Sequence, residues 1–134
     1  MTSPGKQKQG TENREWGYEA ESIAAEYFLQ EGYVVRERNW RIGRLEIDLI
    51  LERDRTIIFV EVKARKGNNQ DPADAVDRKK RLRIVNAADV YLRSIPVLYQ
   101  YRFDIVTITG DRNSYKLDHY PDAYLPAVNG GGRR

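Results

Sequence analysis

Apolar and polar positions alternate with a period of two from Leu45 to Leu51 and again from Ile57 to Lys63. That period, with the excess of β-branched residues, predicts two strands. Between them Glu52-Arg53-Asp54-Arg55 is polar and short, as a hairpin connection should be. On one face the alternation puts Leu45, Ile47, Leu49 and Leu51 with Ile58, Val60 and Val62. The other face takes Glu46, Asp48 and Ile50, with Ile57, Phe59, Glu61 and Lys63 from the second strand. A two-residue loop at Asp54-Arg55 sets Asp48 directly opposite Glu61. A four-residue loop slides the pairing by two and keeps both on the same face.

Upstream, Trp16, Ala20, Ile23, Ala24, Tyr27 and Phe28 recur at helical spacing, so Arg14 to Glu31 reads as a helix that stops at Gly32. Tyr33 to Trp40 reads as a strand, with a turn near Ile42-Gly43. After the hairpin, Arg65 to Asp71 is loop. Asp71-Pro72 then suits a helix start, with Asp as cap and Pro in the first position. That helix runs to about Arg93 and ends at Ser94-Ile95-Pro96. Tyr101 to Thr109 is a further strand, and Ser114 to His119 a short edge strand. Residues 1–13 are polar and aperiodic and predict a disordered arm, and residues 120–134 a flexible tail. The order α-β-β-β-α-β-β predicts an α/β domain, one sheet with a helix on each side.

Composition narrows the chemistry. With no cysteine among 134 residues, disulfides, thiol catalysis and cysteine zinc sites are excluded. A single histidine, His119, excludes a histidine-cluster metal site, and its polar surroundings suggest a surface position. No apolar run approaches membrane-spanning length and no signal peptide is visible, so a soluble cytoplasmic protein is expected. Net charge is only +3, but the cations cluster: Arg78-Lys79-Lys80-Arg81 with Arg83, and Arg36, Arg38, Arg41 and Arg44. Such clusters suit a polyanion, or a charged face kept for solubility.

Glu46, Asp48 and Glu61 crowd one predicted sheet face, where like charges cost roughly 1 kcal/mol or more per pair. A divalent cation removes that cost, and hard carboxylate oxygens suit magnesium or manganese. Lys63, two residues beyond Glu61, shares the face and can reach a metal-bound water or substrate. Glu-x-Lys alone carries no signal; with Asp48 on the paired strand it has the layout of metal-assisted phosphodiester cleavage. On the second helix Lys80 and Arg83 fall on the face of Val76, Ala87 and Tyr91, which suits cations lining a cleft or snorkelling from an apolar stripe. On the first helix Glu19 and Glu21 flank the apolar stripe on opposite sides, and periodicity does not choose between them.

Glu46-Ile47-Asp48-Leu49-Ile50 followed by Phe59-Val60-Glu61-Val62-Lys63-Ala64-Arg65 resembles the signature of the YraN-like (UPF0102-type) family of predicted bacterial endonucleases, within the PD-(D/E)xK superfamily. The resemblance extends over Gly17 to Tyr33, over Val76, Lys80, Arg83, Ala87-Ala88 and Tyr91-Leu92, and over Arg102 to Val106. It covers roughly residues 14 to 109 and places the family's acidic helix position at Glu21. Leu45 and Ala20 stand where the family usually has glycine. The literal Pro-Asp pair, Pro121-Asp122, lies downstream in the tail and is a decoy.

The resemblance implies a restriction-endonuclease-like central mixed sheet flanked by helices, in a nuclease-like domain over residues 14–119. It implies metal-dependent hydrolysis of DNA phosphodiesters, with the DNA branched, flapped or linear. Asp48 and Glu61 would hold Mg2+ or Mn2+, with Glu21 and the Val62 carbonyl as further ligands. Lys63 completes the catalytic set of Asp48, Glu61, Lys63 and Glu21. Arg65, Lys80 and Arg83 would contact phosphates, and Glu46 would stand behind the ligands. Enzymes that cut both strands are often dimers, which by analogy makes a homodimer a candidate assembly. The competing expectation is a non-catalytic nucleic-acid-binding or protein-interaction module that keeps the fold.

Overall fold

The computed structural model describes residues 4–66 and 78–124, with side chains from Glu15 onward. Two helices, α1 (Pro4–Gln30) and α2 (Arg78–Ser94), flank a sheet of five strands. The strands are β1 (Val34–Ile42), β2 (Leu45–Arg53), β3 (Thr56–Arg65), β4 (Gln100–Asp111) and β5 (Ser114–Tyr120). They lie in sequence order, antiparallel except for the β3–β4 pair, which is parallel. A parallel pair needs a crossover, and α2 lies within it. This is the expected α/β sandwich with a mixed central sheet, consistent with a restriction-endonuclease-like fold.

Each helix covers one face. Trp16, Ala20, Ala24 and Phe28 recur every fourth residue along α1 and pack on Leu49, Leu51, Ile58, Val60, Val62, Val106 and Ile108. On the opposite face Ile84, Ala87, Ala88 and Tyr91 of α2 pack on Ile50, Ile57, Phe59, Phe103 and Ile105. β3 is therefore covered on both sides, and every residue from Ile57 to Val62 is buried. Helix α1 closes at Gly32 (φ +90°), where the Tyr33 amide donates to the Phe28 carbonyl at 2.9 Å. The hairpin loop is the two-residue one: Arg53 pairs with Thr56, and Asp54 and Arg55 both take left-handed backbone.

Three expectations change. The helix reaches back to Pro4, whereas the sequence suggests a disordered arm to residue 13; Pro in a first turn gives up no hydrogen bond, so it suits that start. At the other end, 121–124 are docked on the sheet. The Ala123 amide donates to the Phe103 carbonyl at 2.7 Å, and the Tyr124 ring stacks on Phe103 with 5.3 Å between centroids. His119 is not a surface residue either. Its Nε2 lies 2.7 Å from Asp104, which is wholly buried and also binds Arg102. The expected helix cap Asp71-Pro72, Val76 and most of the 65–71 loop lie outside the described residues.

Candidate active site

Asp48 occupies a break in the ladder. On one side the β1–β2 register pairs Arg38 with Leu49 and Trp40 with Ile47, skipping Asn39 and Asp48. Asn39 has φ +49°, which takes its backbone out of extended geometry. On the other side the β2–β3 pairing ends at Leu49 with Val60, one residue short of Asp48. The Asp48 carboxylate fills the gap, and its Oδ2 accepts the Val62 amide proton at 2.8 Å. The break also resets the faces of β2. Ile47, with Leu45 packed beside it, joins the α2-side core, while Leu49 and Leu51 join the α1-side core. Unbroken alternation puts all four on one face, so that expectation fails at Asp48.

Glu61 and Lys80 meet from opposite elements. Glu61 is 5 % exposed, and its Oε1 forms an ion pair with Lys80 Nζ from the first turn of α2. Burial, then the Asp48 charge, pushes the Glu61 carboxyl up to about 8, against the pull of Lys80. Burial raises Asp48 too, opposed by the Val62 amide, Lys80 and a hydrogen bond with Glu61. The two carboxylates are in hydrogen-bond contact, and Lys80 opposes the rise in both. Across the cleft, burial and then Asp48 raise Glu21, whose side chain also binds Asn39. Exposed Lys63 stands on the rim.

These groups line one open cleft of about 520 Å³, with Trp16, Gly17, Ala64, Arg65 and Lys66. Among the described residues, no three carboxylate, histidine or cysteine side chains cluster closely enough to hold one ion. A donor set of two carboxylates remains, Asp48 and Glu61, in side-chain contact. Two hard carboxylate donors at close range fit magnesium or manganese, with Glu21 within electrostatic reach of Asp48.

The expected residues divide by position. Glu21, Asp48, Glu61, Val62, Lys63, Arg65 and Lys80 all line the cleft. Glu46 and Arg83 do not. Glu46 is exposed and reaches to 3.6 Å from Arg41, although its charge still acts on Asp48 and Glu21. Arg83 is exposed on α2. Glu46 does not share a face with Glu61, because the reset at Asp48 turns Leu45 and Ile47 to the α2 side and Glu46 away from it. Pro121-Asp122 supplies no carboxylate to the cleft; the Asp122 amide donates to Asp104 at 2.9 Å. Sequence reasoning missed Trp16, Gly17 and Lys66, the first because it reads as ordinary core. It also missed Tyr124, buried with Arg81 5.1 Å over its ring and near enough to Glu61 that the carboxylate adds to the burial that raises its phenol.

Comparison with known proteins gives the family. The model of the Uncharacterised protein family UPF0102 matches residues 20–108. A UPF0102 protein of Phocaeicola vulgatus is 39% identical over 118 residues, covering 87% of this chain and 98% of its own. One from Parabacteroides distasonis is 41% identical over 109 residues, 81% of this chain and 90% of that protein. One from Syntrophomonas wolfei is 37% identical over 114 residues, 84% and 99%. The match takes in Glu21, Asp48, Glu61, Lys63 and Lys80 together, and the chain belongs to the UPF0102 family.

Proposed function

We propose that this protein is a metal-dependent endonuclease that hydrolyses DNA phosphodiester bonds. The observation that carries the reading is the contact between Asp48 and Glu61 where the β2–β3 ladder opens, inside a cleft rimmed by Lys63, Arg65, Lys66 and Lys80. Two carboxylates in contact are costly without a cation, and surrounding cations suit a phosphate backbone. Asp48 and Glu61 would hold magnesium or manganese, with Glu21 acting through a water and the Val62 carbonyl as a further ligand. When bound, the ion would lower the pKa of a water and offset charge on the scissile phosphate. Lys63 orients the attacking water or stabilises the developing charge. Lys80, Arg65 and, further out, Arg83 hold phosphates without reading sequence. Glu46 acts through its field on Asp48. No helix among the described residues is long and apolar enough to cross a membrane, which fits a cytoplasmic place of work.

A specific observation favours a second reading. Lys80 already pairs with Glu61, and among the described residues no third carboxylate completes a tight ion cage. A non-catalytic nucleic-acid-binding or protein-interaction module would need neither. The test is a cleavage assay on branched, flapped and linear DNA with manganese, comparing wild type with Asp48→Asn. Cleavage by wild type alone supports the endonuclease. Binding of DNA and metal with no cleavage of any substrate supports the module.

A further inference from the structure

Lys80 holds the position that the proposed function needs vacated. Its Nζ pairs with Oε1 of Glu61, one of the two carboxylates in contact at the ladder break. Glu61 is 5 % exposed, so a counter-charge matters more there than at the surface. The Lys80 side chain is 42 % exposed and lines the cleft, so it has room to leave. A lysine is suited to exchange, being a single point charge on a flexible stem rather than a planar fork fixed to one partner. While it stays, the cleft presents Asp48 and Glu21 to an incoming phosphate, with one of its cations engaged elsewhere.

We propose that Lys80 is a partner-switching cation, which neutralises Glu61 in the metal-free protein and is released by metal binding to hold a phosphate of nucleic acid in the cleft. The inference rests on the reading of the site as a metal-dependent nucleic-acid site and adds its regulation. Metal then does two things for a polyanion: it cancels carboxylate charge, and it frees an ammonium group. By linkage, metal and DNA tighten each other's binding by one common factor. An uncharged residue at position 80 retains only the first effect.

The experiment reads binding, not cleavage. Affinity for a short fluorescent DNA duplex is measured by anisotropy, in chelator and in calcium, for wild type, Lys80→Met, Glu61→Gln and the double variant. Lys80→Met keeps the apolar stem; a melting curve verifies each fold, and Lys80→Gln is the uncharged substitute if Lys80→Met does not fold. Binding in chelator sets each protein's own baseline, and the quantity compared is the ratio of calcium to chelator affinity. Calcium should tighten wild type by a factor in the range of roughly 5–150 and Lys80→Met by clearly less. Glu61→Gln should tighten metal-free binding by releasing Lys80, and the double variant should lose that gain. Equal weakening by Lys80→Met in chelator and in calcium would overturn the switch and leave a fixed phosphate contact. A Glu61→Gln gain that persists without Lys80, or no gain, would overturn it as well. The broader reading fails separately, as an absence of heat when wild type is titrated with calcium or manganese.

Discussion

Glu61 is the residue whose environment has the widest consequences. Its carboxyl is raised from about 4.5 to about 8 in the fold, so the folded state binds its proton more tightly than the unfolded chain does. That contribution is full below about pH 4.5 and is lost as pH rises through about 8. The metal-free protein should therefore melt at falling temperature across that window, and Glu61→Gln should flatten the trend in a thermal scan. An equal slope in the variant would place the titration elsewhere. Asp104 has the opposite sign. Burial alone would raise it, but His119, Arg102 and the Asp122 amide together hold it below its ordinary value, so its contribution is lost as pH falls through that depressed value. Lys63 tests the chemistry. Lys63→Ala should keep metal and DNA binding and lose roughly 10²–10³ in cleavage rate, the scale of one lost pre-positioned group. Unchanged cleavage would assign the step to another group. Asp48, Glu61 and Lys63 were legible from strand alternation because their strands are regular nearly to the site. The Lys80–Glu61 pair was not, because it joins residues that meet only once α2 is packed on the sheet.

At the scale of elements, turns carry the clearest tests. Asp54 and Arg55 both have left-handed backbone, a conformation for which arginine has no preference. Arg55→Gly should stabilise the protein by about 0.5–1 kcal/mol, read as a higher urea midpoint; a lower midpoint would mean that the Arg55 side chain outweighs its backbone strain. Gly110 is the reverse case. It has φ +124°, and a Cβ there would run into the Ser114 carbonyl oxygen. Gly110→Ala should cost more than about 1 kcal/mol, and a neutral result would show that the β4–β5 turn yields easily. The element order could be read from periodicity, whereas the sequence left a two-residue and a four-residue loop both open and the Arg53–Thr56 pairing decides for the shorter. The break at Asp48 could not, since it arises from Asn39 leaving extended geometry on the neighbouring strand. Docking of 121–124 was not legible either: four residues are too few to show a period, and Phe103 supplies the partner ring of Tyr124 only in the fold.

For the whole molecule, two layers of helix on a mixed sheet follow from the alternating order of elements, which is why the architecture was the most legible feature. The polyanion surface was less so, because charge clusters in sequence do not say which way they point. Arg65, Lys66 and Lys80 converge on the cleft, while Arg36 turns inward to Glu52 at 2.6 Å and to Tyr91 at 2.7 Å. DNA affinity should therefore fall steeply with salt, and Lys80→Ala with Arg83→Ala should weaken unrelated sequences about equally. Loss confined to one sequence would mean base reading. The central claim is that Asp48 and Glu61 together hold a divalent cation, and calorimetry with manganese tests it most directly. Wild type should bind, and Asp48→Asn should fold normally and lose the binding signal. Equal heats from wild type and Asp48→Asn would contradict the account.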